Sequence, residues 1–219
     1  NPLNGQDIDM PVMAAMARRH QPGLIIADRT VGGLYENILT PEQEVPDAPL
    51  GHPWETCMTM GTSWAYVEGD TYKPARQIIH TLVDIVAKDG NLLLNIGPSP
   101  RGTFAPDALE RLRAIGDWMA VNGEAIHGSR AIAPYIDGDI RYTSRGATVY
   151  AIVLAGEGRD RPDDEVALTS LRPLAGAPVH MLGVDAPLPT RATAAGMCVT
   201  LPTGHLPCKH AWVLRFEQA

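Results

Sequence analysis

The side chains of this chain that could do chemistry are carboxylates and one arginine in a long loop. The pair Asp28-Arg29 ends an apolar segment, and Thr40-Pro41-Glu42-Gln43-Glu44 follows it in the same loop. A carboxylate on a loop at the end of a strand can act as a general acid if its surroundings raise its pKa. The residues alone leave open the ordinary alternative of a solvated glutamate, because charged side chains are mostly exposed.

Metal and phosphate chemistry have no comparable pattern. The seven histidines and three cysteines lack the paired spacing of a metal site. A disulfide between Cys198 and Cys208 stays open. The segment Gly97–Gly102 superficially resembles a phosphate-binding loop, but Pro98 and Pro100 lack the backbone amide donors that such a loop needs. We therefore predict no metal and no organic cofactor.

Composition narrows the class of ligand. The 219 residues carry a formal net charge of −7, whereas binding to a nucleic-acid backbone requires clustered Lys and Arg. The sequence has no apolar run near the ~20 residues that a membrane span requires. Nucleic-acid and membrane partners are thus excluded by this interpretation, and a neutral, sugar-like ligand is favoured.

Strand and helix patterns alternate over the first two thirds of the chain, which predicts an α/β fold. The predicted elements are a helix over about Met10–Arg19, a buried strand Leu24–Ala27, a strand Trp54–Met58, a helix Lys73–Lys88, a strand Leu92–Ile96 covered on both faces, and a helix Asp107–Val121. The intervening loop 29–53 is long enough to suggest a functional role, and barrels keep their sites on such loops.

From about Ala131 the pattern changes to short alternating strands, which predicts a β-sandwich. The predicted strands are Ile140–Tyr142, Thr148–Leu154, Glu165–Leu168, Val179–Leu182, Met197–Leu201 and Trp212–Phe216. We therefore divide the chain into domains at 1–130 and 131–219. Three tryptophans, Trp54, Trp118 and Trp212, are expected in the core.

Several motifs together resemble glycoside hydrolase family 29, the α-L-fucosidases. They are the run Gly90–Pro98, Gly102-Thr103, the helix ending Trp118–Ile126 and the pair Trp54-Glu55. The resemblance covers roughly residues 5–130, and the sandwich only by architecture. It implies the second half of a (β/α)8-like barrel followed by a C-terminal β-sandwich. It also implies a retaining exo-hydrolase that releases α-L-fucose from fucosylated glycans by double displacement.

The resemblance also implies roles for individual residues. Glu42 matches the acid/base position that follows an Asp-Arg pair, while Glu36 and Glu44 are nearby alternatives and Glu55 is the main rival. We prefer a structural role for Glu55, or a supporting one close to the substrate.

Substrate contacts are implied for three more side chains. Arg29 would bind the sugar. Trp64 would pack against the sugar, although an ordinary core position is an equal alternative for this side chain. His52 would lie in the active-site loop, just before Pro53-Trp54.

The catalytic nucleophile of the family is an aspartate shortly upstream of the helix that begins near Met10. Asp7 and Asp9 have the pattern of helix-start residues, so we expect the nucleophile before Asn1 and no activity from this stretch alone. The alternative is a non-catalytic carbohydrate-binding or degenerate fucosidase-like protein. The form Thr40–Gln43 resembles members that cleave branched α-1,3/1,4 linkages. Linkage preference, oligomeric state and location stay open, although the resemblance implies a secreted, periplasmic or lysosomal protein.

Overall fold

The computed structural model describes residues 8–29 and 33–218. Its elements, in chain order, are α1 Met10–His20, β1 Trp54–Thr59, α2 Ala75–Ala87, β2 Gly90–Asn95, α3 Pro106–Asn122, a 3-10 turn Gly123–Ala125, β3 Arg130–Asp137, β4 Ile140–Arg145, β5 Thr148–Leu154, β6 Glu165–Leu168, β7 His180–Met181, β8 Thr190–Ala192, β9 Met197–Thr200 and β10 Ala211–Glu217. The three predicted helices are confirmed. Asp9 caps α1, because its Oδ1 accepts from the Val12 amide at 3.1 Å, whereas Asp7 lies outside the described residues.

Parallel chain segments lie side by side in the first part of the chain. Strands β1 and β2 pair in parallel from Trp54 opposite Gly90 to Thr59 opposite Asn95, with α2 as their connection. Isolated parallel bridges extend this row through residues 38–42 to Ala27. Residues 38–42 thus lie beside β1, and Ala27 lies beside Ile38 on the far side of that segment. Closure into a half-barrel stays a prediction.

Two predictions about the parallel part were wrong. Residues 24–27 do not form a buried strand: only Ala27 makes a bridge, and Ile25 is 70% exposed. Backbone pairing with residues 37–38 begins only at Ile26, whose carbonyl accepts from the Asn37 amide at 2.8 Å, while the Ile26 amide donates to the Asn37 side chain at 3.1 Å and not to a backbone carbonyl. Strand β2 is not covered on both faces, because α2 packs against one face while Leu93 on the other is 53% exposed.

The second part of the chain consists of two antiparallel sheets. One has the strand order β3-β4-β5-β10-β7 and the other has the order β6-β9-β8. Both contribute to one core, which includes Tyr142, Leu168, Val199 and Leu214. The predicted C-terminal sheet domain is confirmed. The sequence analysis missed β8 because its three residues are all exposed and carry no apolar signal.

The cysteines of this domain are free. Cys198 is buried and Cys208 is partly buried, and neither forms a disulfide. The thiol of Cys208 instead donates to the Ala211 carbonyl at 3.2 Å. The disulfide left open by the sequence is therefore absent between these two residues.

A second core joins the two parts of the molecule. Helices α2 and α3 pack against the five-stranded sheet through side chains that include Ile79, Val83, Trp118 and Tyr150. The indole of Trp118 is 2% exposed and donates to the Ala211 carbonyl at 2.8 Å. Together with Trp54 and Trp212, each 1% exposed, it confirms the predicted core tryptophans.

A row of polar side chains on α2 binds the same sheet. Arg76, His80 and Asp84 are spaced four residues apart and so share one helix face. Arg76 donates to two backbone carbonyls after β5, and the His80 Nε2 lies 2.8 Å from the His210 carbonyl oxygen. Asp84 accepts from the Arg141 Nε at 2.7 Å. These partly buried contacts orient α2 on the sheet domain.

We expect the stability of this junction to fall as the pH falls below the ordinary histidine pKa of about 6.5. Burial lowers the pKa of His80; the hydrogen bond with the His210 carbonyl opposes this shift, the charges of Arg76 and Arg141 lower the pKa further, and the charge of Asp139 raises it. Burial likewise lowers the pKa of His210. The unfolded chain therefore binds protons in the window below this pH that the folded chain does not, so the free energy of unfolding decreases there.

Urea titrations at about pH 7.5 and about pH 5.5 measure this effect. The variant His80→Gln keeps a donor for the His210 carbonyl but does not titrate, and we expect it to lose less stability between the two pH values than the wild type. An equal loss in both proteins would contradict the assignment to His80.

Candidate active site

Backbone pairing with β1 holds Glu42 in place. The Gln43 amide donates to the Cys57 carbonyl at 2.9 Å, and the Cys57 amide donates to the Pro41 carbonyl at 3.2 Å. Glu42 and Cys57 form a parallel bridge between these two bonds. The loop carboxylate is therefore part of the row of parallel segments and lies beside the middle of β1.

Arg29 contacts both members of this bridge. Its Nη1 lies 2.8 Å from the Glu42 Oε2, and its Nη2 donates to the Cys57 Sγ at 3.2 Å. The hydrogen bond to Glu42, followed by that to Cys57, raises the pKa of Arg29. The Arg29 and Glu42 side chains are 45% and 49% exposed, so the charged pair lies open to a ligand.

Asp28 ties the two ends of the loop together. Its Oδ1 accepts from the Thr40 amide at 2.8 Å and from the Thr40 hydroxyl at 2.5 Å. These bonds bring Arg29, next to Asp28, beside Glu42, which lies two residues after Thr40. The spacing noted in the sequence thus corresponds to a direct contact between Arg29 and Glu42 in the structure.

A cavity of about 510 Å³ lies next to Glu42. Its lining includes Glu42, Cys57, Trp64, Leu93 and Asn95. Asn95 is the last residue of β2 and Trp64 lies in the loop after β1, so the cavity reaches the carboxyl ends of the parallel strands. This is the end at which parallel α/β sheets and barrels bind their ligands.

Sequence reasoning missed two residues of this cavity, Cys57 and Asn95. The side-chain oxygen of Asn95 is buried and has no hydrogen-bond partner among the described residues. Such an atom costs free energy unless a partner arrives. The signal for Asn95 in the sequence is a polar residue at the carboxyl end of an otherwise apolar strand.

The other predicted carboxylates lie elsewhere. Glu55 is two residues before Cys57 and pairs with Asn91 near the amino end of β1, about 7 Å along the strand. Glu44 lies on the side of β1 that faces α2, and Glu36 is not part of the cavity lining. His52 is exposed and precedes β1. Glu42 contacts Arg29 and also lines the cavity together with Trp64, whereas Glu55 and His52 are not part of this group.

The loop that carries Trp64 is held from two sides. Asp70 accepts from the Thr62 amide and from the Thr62 hydroxyl, the latter at 2.6 Å, and these bonds lower the pKa of Asp70. On the other side, a Cβ at Gly97 would lie 2.5 Å from the Ala65 carbonyl carbon. Only glycine allows this approach, so Gly97 has a positional role. Trp64 itself is 40% exposed and faces the cavity.

The described residues support neither a metal centre nor a membrane segment. Within residues 8–29 and 33–218, no three His, Cys, Asp or Glu side chains come together as potential metal ligands. No helix in this part of the chain combines the length and the apolar character needed to cross a bilayer.

Comparison with known proteins decides the family. The family model described as alpha-L-fucosidase matches residues 3–124, and the model described as alpha-L-fucosidase C-terminal domain matches residues 134–217. The chain belongs to the α-L-fucosidase family. The resemblance inferred from the motifs is thus confirmed.

Named fucosidases are similar over most of the chain. The α-L-fucosidase of Branchiostoma floridae is 38% identical over 178 residues, which is 76% of this chain and 38% of that protein. The human plasma α-L-fucosidase is 37% identical over 183 residues, or 77% of this chain and 38% of that protein. The chain therefore spans about two fifths of the length of these fucosidases.

A solved fucosidase has the same fold. The α-L-fucosidase isoenzyme 1 from Paenibacillus thiaminolyticus superposes with a TM-score of 0.81 at 29% sequence identity. The superposition covers 95% of this chain and 53% of that chain. It includes both the parallel segments and the sheet domain, because nearly the whole chain is matched.

Proposed function

We propose that this protein is a retaining exo-α-L-fucosidase and that the present chain supplies the acid/base half of its active site. The observation that carries this proposal is the Arg29–Glu42 pair at the edge of a cavity beside Trp64. Family membership supports a hydrolase that acts on fucosylated glycans. The parallel segments around β1 and β2 would form the second half of a (β/α)8 barrel.

In this proposal Glu42 is the general acid and base. It protonates the glycosidic oxygen while an aspartate attacks the anomeric carbon and forms a glycosyl-enzyme intermediate. Water then gives up a proton to Glu42 and attacks the same carbon, the bond to the aspartate breaks, and fucose leaves with retained configuration. Glu42 is the one carboxylate lining this cavity in the described part of the chain. We therefore assign the nucleophile to an aspartate that precedes residue 1.

Arg29 and Trp64 would position the substrate. The Arg29 guanidinium has donors beyond those used for Glu42 and Cys57, and it can form charge-assisted hydrogen bonds with a sugar hydroxyl or ring oxygen. The partly exposed ring of Trp64 can pack against the apolar face and the C6 methyl group of fucose. Glu55, nearer the amino end of β1, is proposed to have a structural role.

The test is hydrolysis of nitrophenyl α-L-fucoside by the full-length gene product, with the anomeric configuration of the product followed by NMR. We expect α-L-fucose as the first product, because two displacements retain configuration. Nitrophenyl β-D-galactoside serves as the matched control and should not be cleaved. Release of the β-anomer would contradict the retaining mechanism. Binding of fucosylated glycans without cleavage would support the non-catalytic alternative.

A further inference from the structure

A second cleft of about 420 Å³ lies beside the loops that follow β1 and β2. Its lining includes aromatic and polar side chains that the proposed reaction does not use. They are Tyr66, Asp70, Tyr72, Ser99, Phe104 and Asp107. Its volume lies within the range of sites that bind small ligands, about 300–1,000 Å³.

The backbone joins this cleft directly to the candidate active site. Trp64 lines the first cavity and Tyr66, two residues later, lines the second. Between them, the Ala65–Tyr66 peptide lies so close to Gly97 that a Cβ there would be 2.5 Å from the Tyr66 nitrogen. The two cavities are therefore neighbours that share one backbone segment.

The aromatic side chains are presented to solvent. Tyr66 is 37% exposed and Phe104 is 40% exposed, although large apolar groups gain free energy on burial. Tyr72 is partly buried and packs on the small core around Met60 and Ile78, so its side chain in the cleft lining is supported from below. Exposed aromatic groups around a cleft are typical of a binding surface. Rings of this kind pack against flat, apolar faces such as those of pyranose sugars.

The polar groups favour a neutral ligand with hydroxyl groups. Asp107, in the first turn of α3, and Asp70 contribute carboxylates, and Ser99 contributes a hydroxyl. No Lys, Arg or His side chain lines the cleft in the described residues. The Tyr72 hydroxyl is a neutral donor near pH 7, and burial, followed by the charge of Asp70, raises its pKa further. Such a lining repels phosphate or carboxylate groups and accepts hydrogen bonds from sugar hydroxyls.

We propose that this cleft binds the sugar residue to which the fucose is attached. The inference rests on the proposed function, since the general acid must touch the glycosidic oxygen and the leaving group therefore lies on the Glu42 side of the scissile bond. Glu42 and Trp64 line the same cavity, and the segment from Trp64 to Tyr66 continues from that cavity into the cleft. The cleft thus selects extended, uncharged glycans over simple fucosides.

The test compares two substrates of the full-length gene product: nitrophenyl α-L-fucoside and a trisaccharide with fucose linked to the N-acetylglucosamine of N-acetyllactosamine. We expect Phe104→Ala, and separately Tyr66→Ala, to lower kcat/KM for the trisaccharide about tenfold more than for the nitrophenyl substrate, because lost packing weakens only the extended ligand. Leu174→Ala removes a side chain that is 46% exposed and lies outside the cleft lining, and should change neither value. Equal losses on both substrates would overturn the proposal.

Calorimetric titration with the same trisaccharide separates this proposal from the proposed function. A wild type that cleaves the nitrophenyl substrate, with no selective effect of either variant, overturns the cleft alone. A wild type that cleaves neither substrate overturns the proposed function, and weaker trisaccharide binding by Phe104→Ala then supports the cleft. Equal binding by both proteins, or no binding by either, overturns it.

Discussion

Replacing Glu42 with glutamine is expected to lower kcat/KM of the full-length enzyme for a fucosylated oligosaccharide by roughly 10²- to 10⁴-fold, the usual contribution of a general acid or base. Glutamine keeps the size of the side chain and its place in the bridge to Cys57. It cannot transfer a proton to the leaving oxygen. The measurement is steady-state kinetics of the wild type and variant on the same oligosaccharide.

The leaving group provides an internal control for this variant. The dinitrophenolate group of a dinitrophenyl fucoside leaves without protonation. Glu42→Gln should therefore slow the first displacement on this substrate far less than on the oligosaccharide. A loss of equal size on both substrates would point to disturbed binding instead of lost acid catalysis.

Glu55→Gln is the matched control variant. Glu55 lies toward the amino end of β1 and outside the cavity lining, so we expect a much smaller loss than for Glu42→Gln. A larger loss for Glu55→Gln would transfer the acid/base role to that residue and leave Glu42 as a partner of Arg29.

Replacing Trp118 with alanine is expected to lower the free energy of unfolding by about 3–5 kcal/mol. The side chain is 2% exposed and lies in the core shared by α2, α3 and the five-stranded sheet. Its removal leaves a cavity and an Ala211 carbonyl without its indole donor. Urea unfolding followed by circular dichroism measures the change.

Trp64→Ala is the matched control, because it makes the same substitution at a tryptophan that is 40% exposed. Changes at the surface usually alter stability by no more than about 0.5 kcal/mol, so the stability of this variant should stay close to that of the wild type. Similar losses in both variants would show that the Trp118 core does not stabilise the molecule as the packing indicates.

Elements with a strong local pattern were predictable. Helix α2 has apolar residues such as Ile79 and Val83 at helical spacing, and both are fully buried in the structure. The apolar residues 24–27 had a similarly clear pattern, yet they form only a single bridge. The side chain of Asn37, eleven residues after Ile26, accepts the hydrogen bond of the Ile26 amide that a backbone carbonyl would accept in a longer strand.

The candidate site was predictable only in part. Motif spacing identified Arg29 and Glu42, because the loop between them has a characteristic sequence at each end. Cys57 and Asn95 were not predicted, because Cys57 lies in a strand whose composition gives only a weak strand signal and Asn95 ends an apolar strand. Whether they line the cavity depends on which face of β1 and β2 is next to the Glu42 segment.

The sequence by itself determined the family, the alternation of helices and strands, the antiparallel domain and the loop that carries the acid/base candidate. These features follow from local hydrophobic periodicity and from short motifs, because they depend mainly on interactions between residues that are close in the sequence. Only the tertiary structure decided that Glu42, and not Glu55, contacts Arg29 and lines the cavity, and that Trp64 and Tyr66 line neighbouring cavities. The physical reason is that strand register depends on hydrogen bonds between distant segments, and a shift of one residue would move every side chain to the other face.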